Sequence, residues 1–396
     1  MRGGDPDLAR RRLEEVRVIA ARLNERARSL APELLPNGRL DGAHWRCGNV
    51  AGDHGQSLCV DVDGPMIGHW RDFAACTGMT DAAGDMLDLV AAVRFGGRKK
   101  DAIAWARSWL GMDDLDPARL ATERAQLRER QRSASLEAQA KAEKMLRLAR
   151  GLFLPPGRGQ GGAVPIPGTP ADAYLAARGI LIERMEVADR NGELRRHAPG
   201  ALAFHPAVIC NQAGAGVRLP AMIARILDGE GQHVATHRTW LAEGADGRWR
   251  KAPVPDPKKT IGRYQDARGG AYIPLWKGVC RKTLAEIDAG TDVYVSEGIE
   301  DGLSVALMRP ELRVIAAVAL SNMGNIVLPP QAGRLVVIRQ NDASDSKAAA
   351  ALEKAIARQQ ARGREVAAIC PPPEFKDFND WLMGKTMARP DVVEAA

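Results

Sequence analysis

The stretches DVYVSEG (292–298) and EDGLSVALM (300–308) predict a short apolar strand followed by a helix, and they decide the fold of the C-terminal third. The same alternation continues through VIAAVAL (314–320), RLVVIRQND (334–342), a helix over 344–361 and EVAAICP (365–371). Strands that alternate with helices are typical of a parallel sheet covered by helices on both faces. We therefore predict an α/β fold with four or five parallel strands over residues 285–385, in which 293–296 and 335–339 lie side by side.

Two acidic side chains follow strands of this predicted sheet. Glu297 comes directly after DVYVS, and Asp342 follows RLVVI after Gln340 and Asn341. The carboxyl ends of neighbouring parallel strands open into one crevice. Because carboxylates suit hard divalent cations, we expect Glu297 and Asp342 to share Mg²⁺ or Mn²⁺. Two solvated loop acids with no ligand are the alternative.

The preceding part of the chain has an α+β pattern. LPAMIARILDG (219–229) and HVATHRTWL (233–241) flank the turn signal Asp228-Gly229-Glu230-Gly231 and predict a hairpin. Upstream of it, the tract 151–170 is dense in Gly and Pro, and residues 115–150 are charged and rich in Ala, which predicts a linker and a connector helix.

The N-terminal region has a different texture. We predict a helix over 6–30 and a hairpin formed by LCVDV (58–62) and IGHWRDF (67–73), followed by helices over 84–95 and 99–111. The whole chain then divides into four predicted segments: 1–114, 115–170, 171–284 and 285–396.

Composition excludes some classes of protein. The 396 residues are 45% hydrophobic and carry a net charge of +7, and no apolar run is long enough for a membrane helix. The charged N-terminus has no apolar segment of a signal peptide, and the six cysteines include no CxxC pair, so we expect a cytoplasmic protein without disulfides. The mild positive charge is compatible with a polyanionic partner.

Three segments in order, VSEGIEDGLSVAL (295–307), LVVIRQND (335–342) and KDFNDWL (376–382), resemble the Toprim domain of bacterial primases, topoisomerases and some nucleases. The resemblance implies a Rossmann-like sheet and a Mg²⁺ (or Mn²⁺) site made by the Glu of an EG pair and by an Asp-x-Asp pair. It assigns catalytic and metal-binding roles to Glu297 and Asp342. Gln340 stands where the family has the first Asp, and Asp345 is a candidate to replace it.

The segment before the Toprim-like region resembles the N-terminal part of a bacterial primase core, an α+β subdomain that forms a basic cleft. The resemblance implies contacts to template and nucleotides by Arg218, His237, Arg238, Lys258, Lys259, Arg263, Lys376 and Asp377. We expect the first six of these to line one groove that leads to Glu297. Each alone is also compatible with a solvated surface charge.

Residues 44–110 resemble the zinc-ribbon region of primases in the order of their strands and helix, but the metal-binding Cys and His pairs are missing. We therefore predict a small α+β module that folds without zinc. A site improvised from His54, Cys59, His69 and Cys76 is the alternative.

Together the resemblances imply a primase-like Toprim protein of a phage, plasmid or other mobile element. Its partners would be single-stranded DNA and nucleoside triphosphates, with no membrane. Since no GxxxxGK[ST] motif is present, a replicative helicase would be a separate partner. A catalytically silent nucleic-acid-binding or assembly protein, favoured by Gln340, and a Toprim nuclease are the alternatives.

Overall fold

The structure, a computed structural model, describes residues 6–73, 83–112, 117–159, 161–188, 192–264, 270–343 and 346–387. The chain forms two compact units, Met1–Glu137 and Ala138–Ala396. Within the described residues, no helix is both long and apolar enough to cross a membrane.

The first unit contains a small antiparallel sheet and several helices. Its elements are α1 (Pro6–Glu25), α2 (Ala27–Leu34), β1 (Arg39–Asp41), β2 (His44–Cys47), β3 (Leu58–Asp61), β4 (Trp70–Asp72), β5 (Ala83–Gly84), α3 (Met86–Phe95) and α4 (Lys99–Trp109), with α5 (Pro117–Gly151) running across the boundary. The strands follow the order β1-β2-β3-β4-β5, and the predicted hairpin is β3–β4. A core that includes Ile19, Leu58 and Leu89 joins the helices to the sheet.

The start and end of α3 show how the local sequence shapes this unit. The Asp85 side chain accepts hydrogen bonds from the backbone N–H groups of Leu87 and Asp88, which caps the N-terminus of the helix. At the other end Gly96 adopts a left-handed conformation with φ of +57°, which terminates the helix at little steric cost.

The second unit is built around one ten-stranded sheet. Its helices are α6 (Pro170–Ala176), the 3₁₀-helix Ile182–Arg184, α7 (Ile299–Met308), α8 (Leu320–Met323), α9 (Lys347–Gln360) and α10 (Phe378–Leu382). Its strands are β6 (Glu186–Ala188), β7 (Leu194–Arg196), β8 (Leu202–Ile209), β9 (Arg218–Asp228), β10 (His233–Glu243), β11 (Trp249–Lys251), β12 (Lys258–Gly262), β13 (Ala271–Trp276), β14 (Val293–Ser296), β15 (Arg313–Ala316), β16 (Leu335–Ile338) and β17 (Val366–Ile369).

The C-terminal half of this sheet is parallel, which confirms the predicted α/β fold. The strand order is β15-β14-β16-β17, and Val293 lies opposite Leu335, so the ends of β14 and β16 are adjacent. Strands β15 and β16 are buried along their whole length, as expected of parallel strands covered on both faces.

The N-terminal half is antiparallel and joins the parallel half through β13. The predicted hairpin is β9–β10, and its turn is held by the Asp228 side chain, which accepts from the backbone N–H groups of Glu230 and Gln232. Strand β13 pairs antiparallel with both β9 and β15, a connection that the sequence analysis does not predict. Residues from both halves share one core, from Ile166 to Phe378; the boundary at 284/285 stays a prediction.

Candidate metal and phosphate site

A cavity of about 380 Å³ opens beyond the carboxyl ends of β14 and β16. It lies where the parallel and antiparallel halves of the sheet meet, so both halves contribute side chains. Its lining consists of Arg178, His237, Lys251, Lys258, Ile273, Glu297, Gly298, Ile299, Glu300, Asp301, Val318, Gln340, Asp377 and Asn379. Acidic and basic side chains therefore face one small volume, as a site for a metal ion and phosphate requires.

Glu297 follows β14, and the Asp342 carboxylate is close enough to act on its charge, whereas the metal ion that the two are expected to share stays a prediction. Burial raises the pKa of Glu297, the nearby Asp342 carboxylate raises it further, and Lys258 acts in the opposite direction. Asp342 is not itself part of the cavity lining. The effect on the Glu297 pKa nevertheless shows that two carboxylates repel one another at this edge of the sheet.

Asp301, in the first turn of α7, is a buried acid that the sequence analysis misses. Burial is the main cause that raises its pKa to about 7, and the Asp377 carboxylate adds to the shift. The Asp301 Oδ1 accepts from the backbone N–H of Phe378 at 2.8 Å, whereas its Oδ2 has no hydrogen-bond partner within the described residues. Asp301 therefore has one oxygen still available to a ligand.

Glu300 is a buried carboxylate that binds two lysines. Its Oε1 lies 3.3 Å from Lys251 Nζ and accepts from the Tyr174 hydroxyl at 2.7 Å, and its Oε2 lies 3.2 Å from Lys258 Nζ. Although burial opposes ionisation, the two lysines and Tyr174 hold the pKa of Glu300 well below its usual range. Glu300 thus stays charged and positions both ammonium groups at the cavity.

His237 lines the cavity as a neutral side chain. Burial and the neighbouring Lys258 lower its pKa to about 4, so it adds no positive charge to the site at neutral pH. The sequence analysis treats it as a phosphate contact together with cationic groups. Its contribution here is an imidazole that can accept or donate a hydrogen bond.

The prediction that six basic and His side chains line one groove is wrong, because members of the set lie on opposite faces of the sheet. In the β10–β12 pair, Lys258 lies opposite Thr239 and Lys259 lies opposite Arg238. Because side chains alternate along a strand, Lys258 shares a face with His237, and Lys259 and Arg238 lie on the other face. There Lys259 pairs with Asp256 at 2.6 Å, and Arg238 stacks over Trp240.

Of the remaining expected contacts, Asp377 lines the cavity, whereas Arg218, Arg263 and Lys376 do not. Arg218 donates to the Ala207 carbonyl at 3.3 Å, and neither it nor Arg263 lines the cavity. Lys376 takes part through its backbone carbonyl, which accepts from Asn341 N–H at 2.8 Å. Asp377 does line the cavity, and its side chain also caps α10 by accepting from the Asp380 N–H.

Gln340 and Asn341 have different roles after β16. Gln340 lines the cavity beside Asp301 and acts to lower the pKa of that carboxyl. Asn341 donates through Nδ2 to three carbonyls at 2.8–3.3 Å, those of Pro371, Pro372 and Phe375. Asn341 therefore fixes the segment that delivers Asp377. Asp345, the suggested replacement for the missing Asp, lies outside the described residues.

In the first unit, three side chains that could ligate a metal lie together on β2 and β3. His44, Cys59 and Asp61 each have a ligand atom within 4.8 Å of the others, and His44 Nδ1 lies 2.7 Å from Asp61 Oδ1. Only Cys59 belongs to the alternative zinc site of the sequence analysis, and Cys76 of that set lies outside the described residues. The expectation that this module needs no zinc stays a prediction.

One sequence signal points to the acids that were missed. Glu300 and Asp301 stand in a helix whose other members from Ile299 to Ala306 are buried all round. A charged residue in a helix without an exposed face must be buried, and a buried charge needs a partner. The same reasoning predicts that Glu300 has a cationic partner, and the structure identifies Lys251 and Lys258.

Family comparisons agree with the site. Residues 292–387 match a model described as a Toprim domain, and residues 160–271 match one described as a domain of unknown function, DUF7146. The chain therefore contains a Toprim domain, which spans β14 to α10 and holds every carboxylate of the cavity. No curated protein matches the chain.

Among solved structures, the chain is similar to several primases. The primase fragment of the bacteriophage T7 primase-helicase protein is 19% identical, over 54% of this chain and 70% of that one, with a TM-score of 0.33. The zinc-binding and RNA polymerase domains of the Aquifex aeolicus primase are 14% identical, over 90% and 79%, with a TM-score of 0.35. A Pseudomonas aeruginosa DNA primase domain is 15% identical, over 47% and 62%, with a TM-score of 0.30.

Proposed function

We propose that this chain is a primase-like Toprim protein that binds single-stranded DNA and synthesises short RNA primers by Mg²⁺- or Mn²⁺-dependent nucleotidyl transfer. The observation that carries the proposal is the cavity in which Toprim carboxylates face Lys251 and Lys258. Carboxylates suit the metal, and lysines suit the phosphates of a nucleoside triphosphate. A replicative helicase is the partner that we propose for the cell.

The carboxylates and the amide at the cavity have the chemistry that a divalent cation requires, and binding would have to draw them together, because among the described residues the three ligand atoms within 4.8 Å of one another are those of His44, Cys59 and Asp61. Glu297 is repelled by Asp342, and Asp301 keeps one oxygen without a hydrogen bond within the described residues. A cation would offset the repulsion between Glu297 and Asp342 and would give the unpaired Asp301 oxygen a partner. We propose Glu297, Asp342 and Asp301 as its ligands, with the Gln340 carbonyl as a neutral fourth oxygen. Bound there, the ion would neutralise the triphosphate and favour attack of the primer 3′-hydroxyl on the α-phosphate.

The chain's own residues supply positioning. Glu300 holds the ammonium groups of Lys251 and Lys258 so that they face the cavity before any substrate arrives. Preorganised charges of this kind stabilise a developing charge without reorganisation at the moment of reaction. Asn341 fixes the loop before Asp377, a residue of the cavity lining, through its bonds to the carbonyls of Pro371, Pro372 and Phe375.

A catalytically silent nucleic-acid-binding protein is the second candidate, and Gln340 favours it. A neutral amide is a weaker ligand for Mg²⁺ than the carboxylate that the Toprim pattern has at this position. If the metal were lost, the lysines would still attract the phosphates of a nucleic acid strand.

Primer synthesis on single-stranded DNA with all four ribonucleoside triphosphates, in Mg²⁺ or Mn²⁺, tests the proposal. We expect primers from the wild-type chain, none from Glu297→Gln, and more from Gln340→Asp because it restores a charged ligand. Glu311→Gln is the matched control, since Glu311 is an exposed acid paired with Arg309 away from the cavity. DNA binding without primers from the wild type or from Gln340→Asp in either metal would instead establish the silent protein.

A further inference from the structure

A second cavity, of about 760 Å³, lies elsewhere in the same unit and shares no lining residue with the first. Arg225 of β9 lines it. Ala224 is the cross-strand partner of His237, so Arg225 points to the opposite face of the β9–β10 hairpin from His237. This cavity is therefore a separate site and not an extension of the Toprim crevice.

The charge of this cavity has one sign. Arg150, Arg225, Lys277 and Arg281 line it, and its lining includes no carboxylate. Over the described ranges, none of these four forms an ion pair with an acid: Arg150 donates to the His233 carbonyl at 2.9 Å, Arg225 stacks over the Phe153 ring, and Arg281 contacts His197. Gathered cations without acidic partners repel one another and attract an anion.

The positive charge of these arginines affects the pKa of the neighbouring His233. Burial lowers the pKa of His233 to about 4, and Arg225 and Arg150 contribute to the shift. His233 is therefore neutral at pH 7. Arg281 also has a φ of +54°, a left-handed conformation that is unfavourable for a residue with a Cβ. Strained residues of this kind cluster at ligand sites.

The walls between the cations are aromatic and apolar. The Phe153 and His233 rings meet edge to face, with centroids 5.3 Å apart, and the wall also contains Leu227 and Pro274. A flat ring can pack on such a surface while its anionic part reaches the arginines. The volume lies within the roughly 300–1,000 Å³ of small-molecule sites.

We propose that this cavity binds a 5′-phosphorylated mononucleotide without a metal ion, with the phosphates on Arg150, Arg225 and Arg281 and the base against Phe153 and His233. The site is independent of the proposed primase chemistry, because none of its side chains belongs to the Toprim crevice. Arginines bind phosphate directly, whereas carboxylates need a bridging cation, so a chelator removes the contribution of the crevice carboxylates and the arginine variants then assign the remaining binding to this cavity.

The experiment is calorimetric titration of the full chain with ATP in excess EDTA at low salt. We expect binding that Arg225→Ala and Arg281→Gly each weaken at least tenfold. Phe153→Ala should weaken the binding of ATP but not that of inorganic tripolyphosphate, which has no base. The matched control is Arg309→Ala, an exposed arginine paired with Glu311, which should bind as the wild type does.

Folding can be separated from binding with Arg281→Gly. Glycine adopts a positive φ without strain, so this variant should keep or raise the thermal unfolding midpoint while it loses affinity. The proposal would be overturned if the wild type does not bind ATP in EDTA. It would also be overturned if both arginine variants bind ATP as tightly as the wild type does. An oligonucleotide of single-stranded DNA that binds more tightly than ATP, displaces it and is weakened by the same variants would also overturn it, in favour of a strand-binding surface.

Discussion

The two halves of the ten-stranded sheet contribute opposite charges to the Toprim crevice. The parallel half supplies Glu297, Asp301 and Asp377 from strand ends and helix starts, and the antiparallel half supplies Lys251 and Lys258 from strands β11 and β12. Parallel strands present their side chains to a cavity only at their ends, whereas antiparallel edge strands present them along their length.

The crevice is therefore formed jointly by the two halves. Glu300 connects the two halves, because it lies in α7 of the parallel half and binds two lysines of the antiparallel half. Neither half alone supplies both acids and cations to the lining of the crevice.

Glu300→Gln should break the link between the halves. Removing one member of a buried ion pair leaves its partners uncompensated and costs about 3–5 kcal/mol; we expect a loss of unfolding free energy of about 3 kcal/mol, because both lysines keep some exposure. Urea unfolding measures the loss. Glu311→Gln, which removes an exposed acid, is the control and should change the free energy by less than about 1 kcal/mol. Equal effects of the two substitutions would show that Glu300 does not join the halves.

Asp301→Asn should change how stability depends on pH. The folded pKa of Asp301, about 7, lies above the ordinary 3.8, so the folded state favours the protonated carboxyl. Its stabilising contribution is complete below about pH 4 and is lost as the pH rises through about 7. Asn resembles the protonated form, and we expect the variant to lose less stability than the wild type between pH 4 and 8. Thermal unfolding midpoints of the wild type and the variant across that pH range measure the difference. Parallel curves for the two proteins would contradict the prediction.

Lys258→Ala and Lys259→Ala should separate the two faces of β12. Each phosphate that a side chain neutralises contributes about −0.7 to the slope of log K against log salt for a single strand. We expect Lys258→Ala to reduce the magnitude of the slope by about 0.7 and Lys259→Ala to leave it nearly unchanged, because Lys259 lies on the other face and pairs with Asp256. Fluorescence anisotropy with labelled single-stranded DNA at several salt concentrations measures both slopes. A smaller salt slope for Lys259→Ala alone would place the single-stranded DNA on the opposite face of β12.

Excess EDTA should have the smallest effect, since we expect the first unit to fold without zinc. The unfolding midpoint should stay unchanged with chelator and with Cys59→Ser. Stoichiometric zinc by elemental analysis, lost together with folding in Cys59→Ser or His44→Ala, would contradict this and assign the metal to the His44, Cys59 and Asp61 cluster.

Some of this structure can be predicted from the sequence for clear reasons. Strands β14 to β17 are short apolar runs separated by helices, and that pattern specifies a parallel sheet and places Glu297 at a strand end. The faces of Arg238 and Lys259 cannot be predicted in the same way, because they depend on the register between β10 and β12. Asp301 acquires its raised pKa from burial and from Asp377, 76 positions away, and no local pattern contains that distance.

The hydrogen bonds that α10 makes with Arg178, just after α6, and with Asp301 of α7 have a consequence for the order of folding. The Arg178 carbonyl and guanidinium bond to the side chain of Asn379, 201 positions later, and the Asp301 carboxyl is capped by the N–H of Phe378. Contacts of such long sequence separation form late, because the chain entropy of a large loop must be lost first. During synthesis these contacts form only after α10 has left the ribosome, and a chain truncated before α10 would lack Asn379, the partner of Arg178 in the lining of the crevice.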